Sequence, residues 1–62
     1  MMKFTIEQAR KYAGFTQKKF CEKLGITLDV YRRIAANSAS TEVPIAKKIS
    51  LVTGIPLDDI IF

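Results

Sequence analysis

Sixty-two residues suffice for one small core and leave no room for an enclosed substrate cavity, because a chain this short buries only about 60% of its unfolded surface. Apolar residues make up 48%, too many for disorder, and a small chain without staples favours the local contacts of a helical bundle. The net charge of +4 is uneven: residues 1–36 hold eight Lys/Arg against three Asp/Glu and residues 37–62 two against three, so the basic half suits a polyanion, nucleic acid before membrane.

Surface lysines also keep small proteins soluble, so charge alone leaves both readings open. Cys21 is the only cysteine, which rules out an intrachain disulfide and fits a reducing cytoplasm. With no histidine, the chain lacks the ligands of a zinc site and the base of a Cys–His nucleophile, and no cofactor is expected. Apolar runs fall far short of the ~18 residues of a membrane span, and the N-terminus lacks a signal-peptide core. The carboxylates are scattered, and the one adjacent pair, Asp58-Asp59, suits a helix start better than acid–base work. No enzymatic activity is expected.

In chain order, Met1 to Phe4 reads as a lead-in. Thr5-Ile-Glu-Gln8 fits a capping box, and Ile6, Ala9 and Ala13 share one face, with Arg10 and Tyr12 beside it. The first helix therefore spans about Ile6 to Ala13 and ends at Gly14. Thr16 caps the second helix, with Phe15 stapled to Phe20 and a buried stripe of Phe20, Cys21 and Leu24. Cys21 is expected to pack as a small apolar group. Gly25 ends this helix, Ile26 plugs the turn and Thr27 caps the third, Leu28 to Ala36. In helix 3, Tyr31 and Ile34 point inward and Leu28, Asp29, Arg32 and Arg33 lie on or near the other side. Asn37 is expected to stop the helix in the left-handed conformation. After the polar loop Ser38 to Thr41, a fourth helix starts at Thr41 or its neighbour, because Pro44 must fall in a first turn. Ile45, Ala46, Ile49 and Val52 form its apolar stripe, Lys47 and Lys48 face water, and Gly54 ends it. Ile55 to Phe62 leads into a last turn. Ile60, Ile61 and Phe62 either close the core or remain partly exposed for dimerisation.

The reading is one all-α domain, 1–62, of four to five compact helices with a helix-turn-helix at helices 2 and 3. Two helices joined by a three-to-four-residue turn containing Gly25 carry it, with Cys21 four residues before the glycine and Leu24, Ile26, Tyr31 and Ile34 around it. Such packing lets the second helix enter a major groove. The alternative is a plain helical bundle.

Ala9-Arg10, Gly14-Phe-Thr-Gln17, Phe20-Cys21, Lys23-Leu-Gly-Ile26 and Arg33-Ile34 resemble the λ-repressor-like, Cro-type helix-turn-helix family. The ending from Ile49 through Gly54-Ile-Pro-Leu-Asp-Asp-Ile-Ile-Phe62 is similar to small members from phages and mobile elements. The resemblance covers about Thr5 to Phe62. It implies five helices, a double-stranded DNA operator, frequent homodimers, transcriptional control and a place in the cytoplasm at the nucleoid. By position it implies DNA contact at Gln17, base reading from Thr27, Leu28 and Asp29, further contacts from Arg32 and Arg33, and phosphate contact at Asn37 and Ser38.

Each implied contact has a chemical reading. Arginine can fork onto guanine O6 and N7, leucine can meet a thymine methyl, and aspartate can accept from cytosine N4. Lys18, Lys19 and Lys3 add sequence-independent attraction. The chain departs from the family where Ala35-Ala36-Asn37 replaces the usual Glu-Asn-Gly. That glutamate commonly pairs with the arginine matching Arg10, so Arg10 must turn to water, to carbonyls ending helix 3, or to another acid. Apolar Leu28 and acidic Asp29 on the reading surface also support a second expectation: an anti-repressor or repressor modulator that docks helix 3 on a partner repressor protein. An antitoxin component shares the same fold.

Overall fold

Threonine opens each of the first three helices. The computed structural model describes residues 3–62, which form α1 (Ile6–Tyr12), α2 (Gln17–Leu24), α3 (Leu28–Ala36) and α4 (Val43–Thr53), with single 3₁₀ turns at Ser38–Ser40 and Leu57–Asp59. At α1 the capping box closes both ways: Thr5 Oγ1 accepts from the Gln8 N–H at 3.1 Å, and Gln8 Oε1 accepts from the Thr5 N–H at 3.0 Å. Thr16 accepts from the Lys19 N–H and Thr27 from the Val30 N–H. Each cap satisfies a donor that the first helical turn leaves unpaired, worth about 1 kcal/mol.

Glycine ends the first two helices in the same way. After α1, the Gly14 N–H donates to Lys11 O and the Phe15 N–H to Arg10 O. After α2, the Gly25 N–H donates to Glu22 O and the Ile26 N–H to Cys21 O. This paired bonding requires a left-handed residue, and Gly25 takes it at φ +71°. It also turns Ile26 back onto the core. The residue that ends α2 thus aims α3.

The core gathers Ile6 and Ala9 from α1, Phe20, Cys21 and Leu24 from α2, Tyr31 and Ile34 from α3, and Ile49 from α4. Ile55 and Ile60 close it from the C-terminal segment. Phe20 lies at its centre, its ring centroid 5.8 Å from Phe15 and 6.0 Å from Tyr31, edge-on to the latter. The radius of gyration, 10.1 Å, is close to the ~10.6 Å of a compact chain of this length. No helix among the described residues is long and apolar enough to cross a membrane.

Several local expectations are corrected. Asn37 ends α3 at φ −138°, ψ 87°, not in the left-handed conformation, because the chain runs on into the 3₁₀ turn. The Asn37 carbonyl accepts there from the Ser40 N–H and from Ser40 Oγ. α4 begins at Val43 with Glu42, the neighbour of Thr41, at its N-cap as expected, though without a side-chain cap bond, and Pro44 falls in its first turn. Thr41 Oγ1 is buried without a hydrogen-bond partner. Tyr12 is exposed, its ring 5.2 Å from Phe4. Met1 and Met2 of the expected lead-in lie outside the described residues, but Phe4 is no free lead-in. Its N–H donates to Asp59 O at 2.7 Å and its carbonyl accepts from the Ile61 N–H at 2.8 Å, a parallel β-bridge that ties the two ends of the chain. Of the three C-terminal apolar residues, Ile60 closes the core while Ile61 and Phe62 remain exposed.

Cys21 is a buried free thiol, as expected. Desolvation raises its pKa and outweighs the lowering effects of nearby Arg10 and of a backbone hydrogen bond. The folded state therefore holds the thiol proton more tightly than the unfolded chain does. Stability from this site is complete below the ordinary thiol range and declines as pH rises through it. Two outcomes follow: thiol-directed reagents label native Cys21 far more slowly than the urea-unfolded chain, and Cys21→Ala flattens the alkaline fall in unfolding free energy. Equal labelling rates in both states would contradict the burial.

Candidate nucleic-acid interface

The N-terminus of α2 and the outer side of α3 meet solvent together because the turn at Gly25 buries the other side of both helices. Gln17 and Lys18 open α2, and both are exposed. Thr16 Oγ1 accepts the Lys19 N–H, and the first-turn N–H groups of Gln17 and Lys18 have no intrahelical partner. No acidic residue occupies that first turn, while Lys18 and Lys19 do. The helix end thus combines free N–H groups, the positive end of the macrodipole and two ammonium groups, the features that attract a phosphate.

On α3, Tyr31 and Ile34 are buried and Val30 is half-buried, which fixes the inward side. Thr27, Leu28, Asp29, Arg32 and Arg33 are all exposed. Helical spacing sets Leu28, Arg32 and Ala36 in one row, about 6 Å apart along the axis, with Asp29 and Arg33 in the next. Ala35 and Ala36 are exposed, so the last turn presents only methyl groups beside the two arginines. Asp29 lies in the first turn, where a carboxylate favours the helix dipole. Asn37 is exposed beyond the C-terminal end, and Ser38 is half-buried. The expected site residues are therefore all exposed except Ser38, which is half-buried.

Beneath this surface, Arg10 has found substitutes for the missing glutamate. Its Nε–H donates to Tyr31 Oη at 3.0 Å and its Nη1–H to Phe15 O at 2.6 Å. Nη2 lies 3.8 Å from Glu7 Oε1, the one ion pair among the described residues. Of the expected partners, another acid is present in Glu7, and the carbonyl is that of Phe15, immediately before the α2 cap, not one ending helix 3. Arg10 is thus buried and links α1, the entry to α2 and the inward side of α3. The phenol as its partner escapes sequence reasoning, because Tyr31 reads as an ordinary apolar core residue.

Lys48 was expected to face water and is exposed, yet it also reaches the turn. A Cβ added at Gly25 would lie 3.8 Å from Lys48 Nζ. The spacing of α4 alone gives no signal for that approach.

In comparisons with known proteins, no curated sequence and no solved structure matches the chain. A family model described as helix-turn-helix matches residues 6–60. That span takes in α1 to α4 and the turn that aims α3, and the chain belongs to the λ-repressor/Cro-like helix-turn-helix family of DNA-binding regulators.

Proposed function

We propose that residues 1–62 act as one helix-turn-helix domain, a Cro-type repressor of a phage or mobile element that reads a double-stranded operator in the major groove with α3. The observation that carries this reading is the pair Arg32 and Arg33, exposed on the side of α3 that the core leaves bare. Each can take guanine O6 and N7 in a bidentate contact, Leu28 can meet a thymine methyl, and Asp29 can accept from cytosine N4. Thr27 can meet a base edge or a phosphate, and Gln17, Lys18, Asn37 and Ser38 would hold phosphates, fixing register without reading sequence. The setting is the cytoplasm, at the nucleoid. Pairing of two copies through exposed Ile61 and Phe62 is the expected route to a homodimer, whose recognition helices must stand about 34 Å apart to read half-sites one helical turn of DNA apart.

Selection from a promoter-derived duplex library, followed by a salt titration, tests the reading. Arg32→Ala and Arg33→Ala are expected to lose about 1–3 kcal/mol each and to relax preference at particular base pairs. Lys18→Ala is expected to weaken all sequences alike and to lower the salt slope by about one. Failure to protect any duplex at low salt would rule the function out. Sedimentation at micromolar concentration reports on the homodimer.

A second reading rests on Leu28 and Asp29. An exposed leucine beside a carboxylate that repels phosphates suits protein contact, in which α3 docks on a partner repressor as an anti-repressor. A pull-down with the neighbouring regulator decides: Leu28→Asp should abolish capture. Unchanged capture would remove α3 as the docking surface.

A further inference from the structure

The outer side of α4 carries the two most exposed large aliphatic side chains among the described residues, Leu51 at 82% and Val43 at 66%. They are eight residues apart, two helical turns, with Lys47 midway between them on the same stripe. The stripe lies opposite fully buried Ile49. Pro44 and Lys48 flank it and are exposed. Between Val43 and Thr53 the helix has two lysines and no carboxylate. A solvent-facing helical stripe is ordinarily polar. Here two apolar anchors flank one cation, and the core makes no use of them.

From this pattern we infer that the outer face of α4 docks an acidic amphipathic helix of a partner protein, with two apolar residues on Val43 and Leu51 and a carboxylate on Lys47. The arrangement disfavours a second copy of this chain on the same face. An isologous antiparallel pairing of α4 centred on the stripe would set Lys47 against Lys47 of the copy, and like charges meeting at an interface oppose association. A foreign helix with carboxylates at that level turns the repulsion into attraction and also selects its partner. None of the residues proposed to touch DNA lies on α4. The contact is therefore compatible with an occupied operator, as recruitment of a second protein requires.

The probe is a synthetic amphipathic peptide of about five helical turns, with leucines on one face and glutamates beside them. The control peptide has lysine in place of every glutamate. Titration of each into the isotope-labelled full chain, read by amide shifts, should move Val43, Lys47 and Leu51 with the acidic peptide only. Leu51→Ser, an exposed change whose folding the same spectra verify, should weaken binding by about tenfold or more. Lys47→Glu should weaken the acidic peptide and admit the basic one. Adding duplex DNA should leave the α4 shifts in place, and a chain that binds no DNA should still bind the peptide, which separates this inference from the operator reading. Three results would overturn it: shifts centred on α3 or the C-terminal segment, equal binding of the two peptides, or α4 shifts that grow with protein concentration alone and so mark a second copy.

Discussion

Phe20→Ala is expected to leave the domain largely unfolded at physiological temperature. Phe20 is fully buried and lies between Phe15 and Tyr31, so it joins the entry of α2 to the inward side of α3. Truncating a buried phenylalanine costs about 3–5 kcal/mol, from lost transfer and from the cavity left behind. A domain of 62 residues has only about 3–9 kcal/mol in total, at the usual 0.05–0.15 kcal/mol per residue. The loss is therefore comparable to the whole stability. With each kcal/mol worth about 4–8 °C in a domain this small, melting should move down by well over ten degrees. Circular dichroism melting and amide shift dispersion measure it. Phe20→Leu keeps much of the volume and should lose less than half as much. A Phe20→Ala melt within a few degrees of the wild type would show that the core does not depend on this ring.

The features legible in the sequence are those set within four or five residues. Thr5, Thr16 and Thr27 announce helix starts because their hydroxyls reach a backbone N–H three residues on. Gly14 and Gly25 announce ends because the paired bonds to α1 and α2 need a left-handed residue. From these, α2, the turn and α3 follow nearly residue by residue. The tie of Phe4 to Asp59 and Ile61 joins opposite ends of the chain, and no local spacing signals it. Asn37 was misread for a related reason. Its propensity suits a left-handed stop, but the following turn claims its carbonyl and sets its conformation.

At the candidate interface, helical period did most of the reading. Once Tyr31 and Ile34 are assigned to the core, Leu28, Asp29, Arg32 and Arg33 must face out, and they do. Ser38 is half-buried because the 3₁₀ turn, unseen in the sequence, folds the chain back after α3. The approach of Lys48 to Gly25 depends on how α4 crosses α2, a tertiary matter that no single helix encodes.

The second large effect is expected at Arg10 and Tyr31, as a coupled loss in a double-mutant cycle. The Arg10 guanidinium is buried, and its only carboxylate, Glu7, is 3.8 Å away with half its side chain in water. Such a pair is worth little, so Glu7→Gln should cost under about 1 kcal/mol. What holds the charge is neutral: Tyr31 Oη at 3.0 Å and Phe15 O at 2.6 Å. Tyr31→Phe keeps the ring and removes one acceptor from a buried cation, at a cost of about 1.5–3 kcal/mol. Arg10→Met keeps most of the stem and strips both oxygens of their donor, with a loss of similar size. In the double variant no cation remains to be satisfied and no hydroxyl is left unpaired, so its loss should fall short of the sum by at least about 1 kcal/mol. Urea unfolding of the four proteins measures the shortfall, and additivity within about 0.5 kcal/mol would show that the bond contributes nothing. The consequence reaches the surface. Arg10 joins α1 to the residue before the α2 cap and to the inward side of α3, so its loss frees α3 to rotate against α2 while the core still closes. Tyr31→Phe, though folded, is then expected to bind its best duplex more weakly and with less preference among sequences than the wild type. A variant that lost stability but kept its full preference would restrict the Arg10 bridge to holding the fold together.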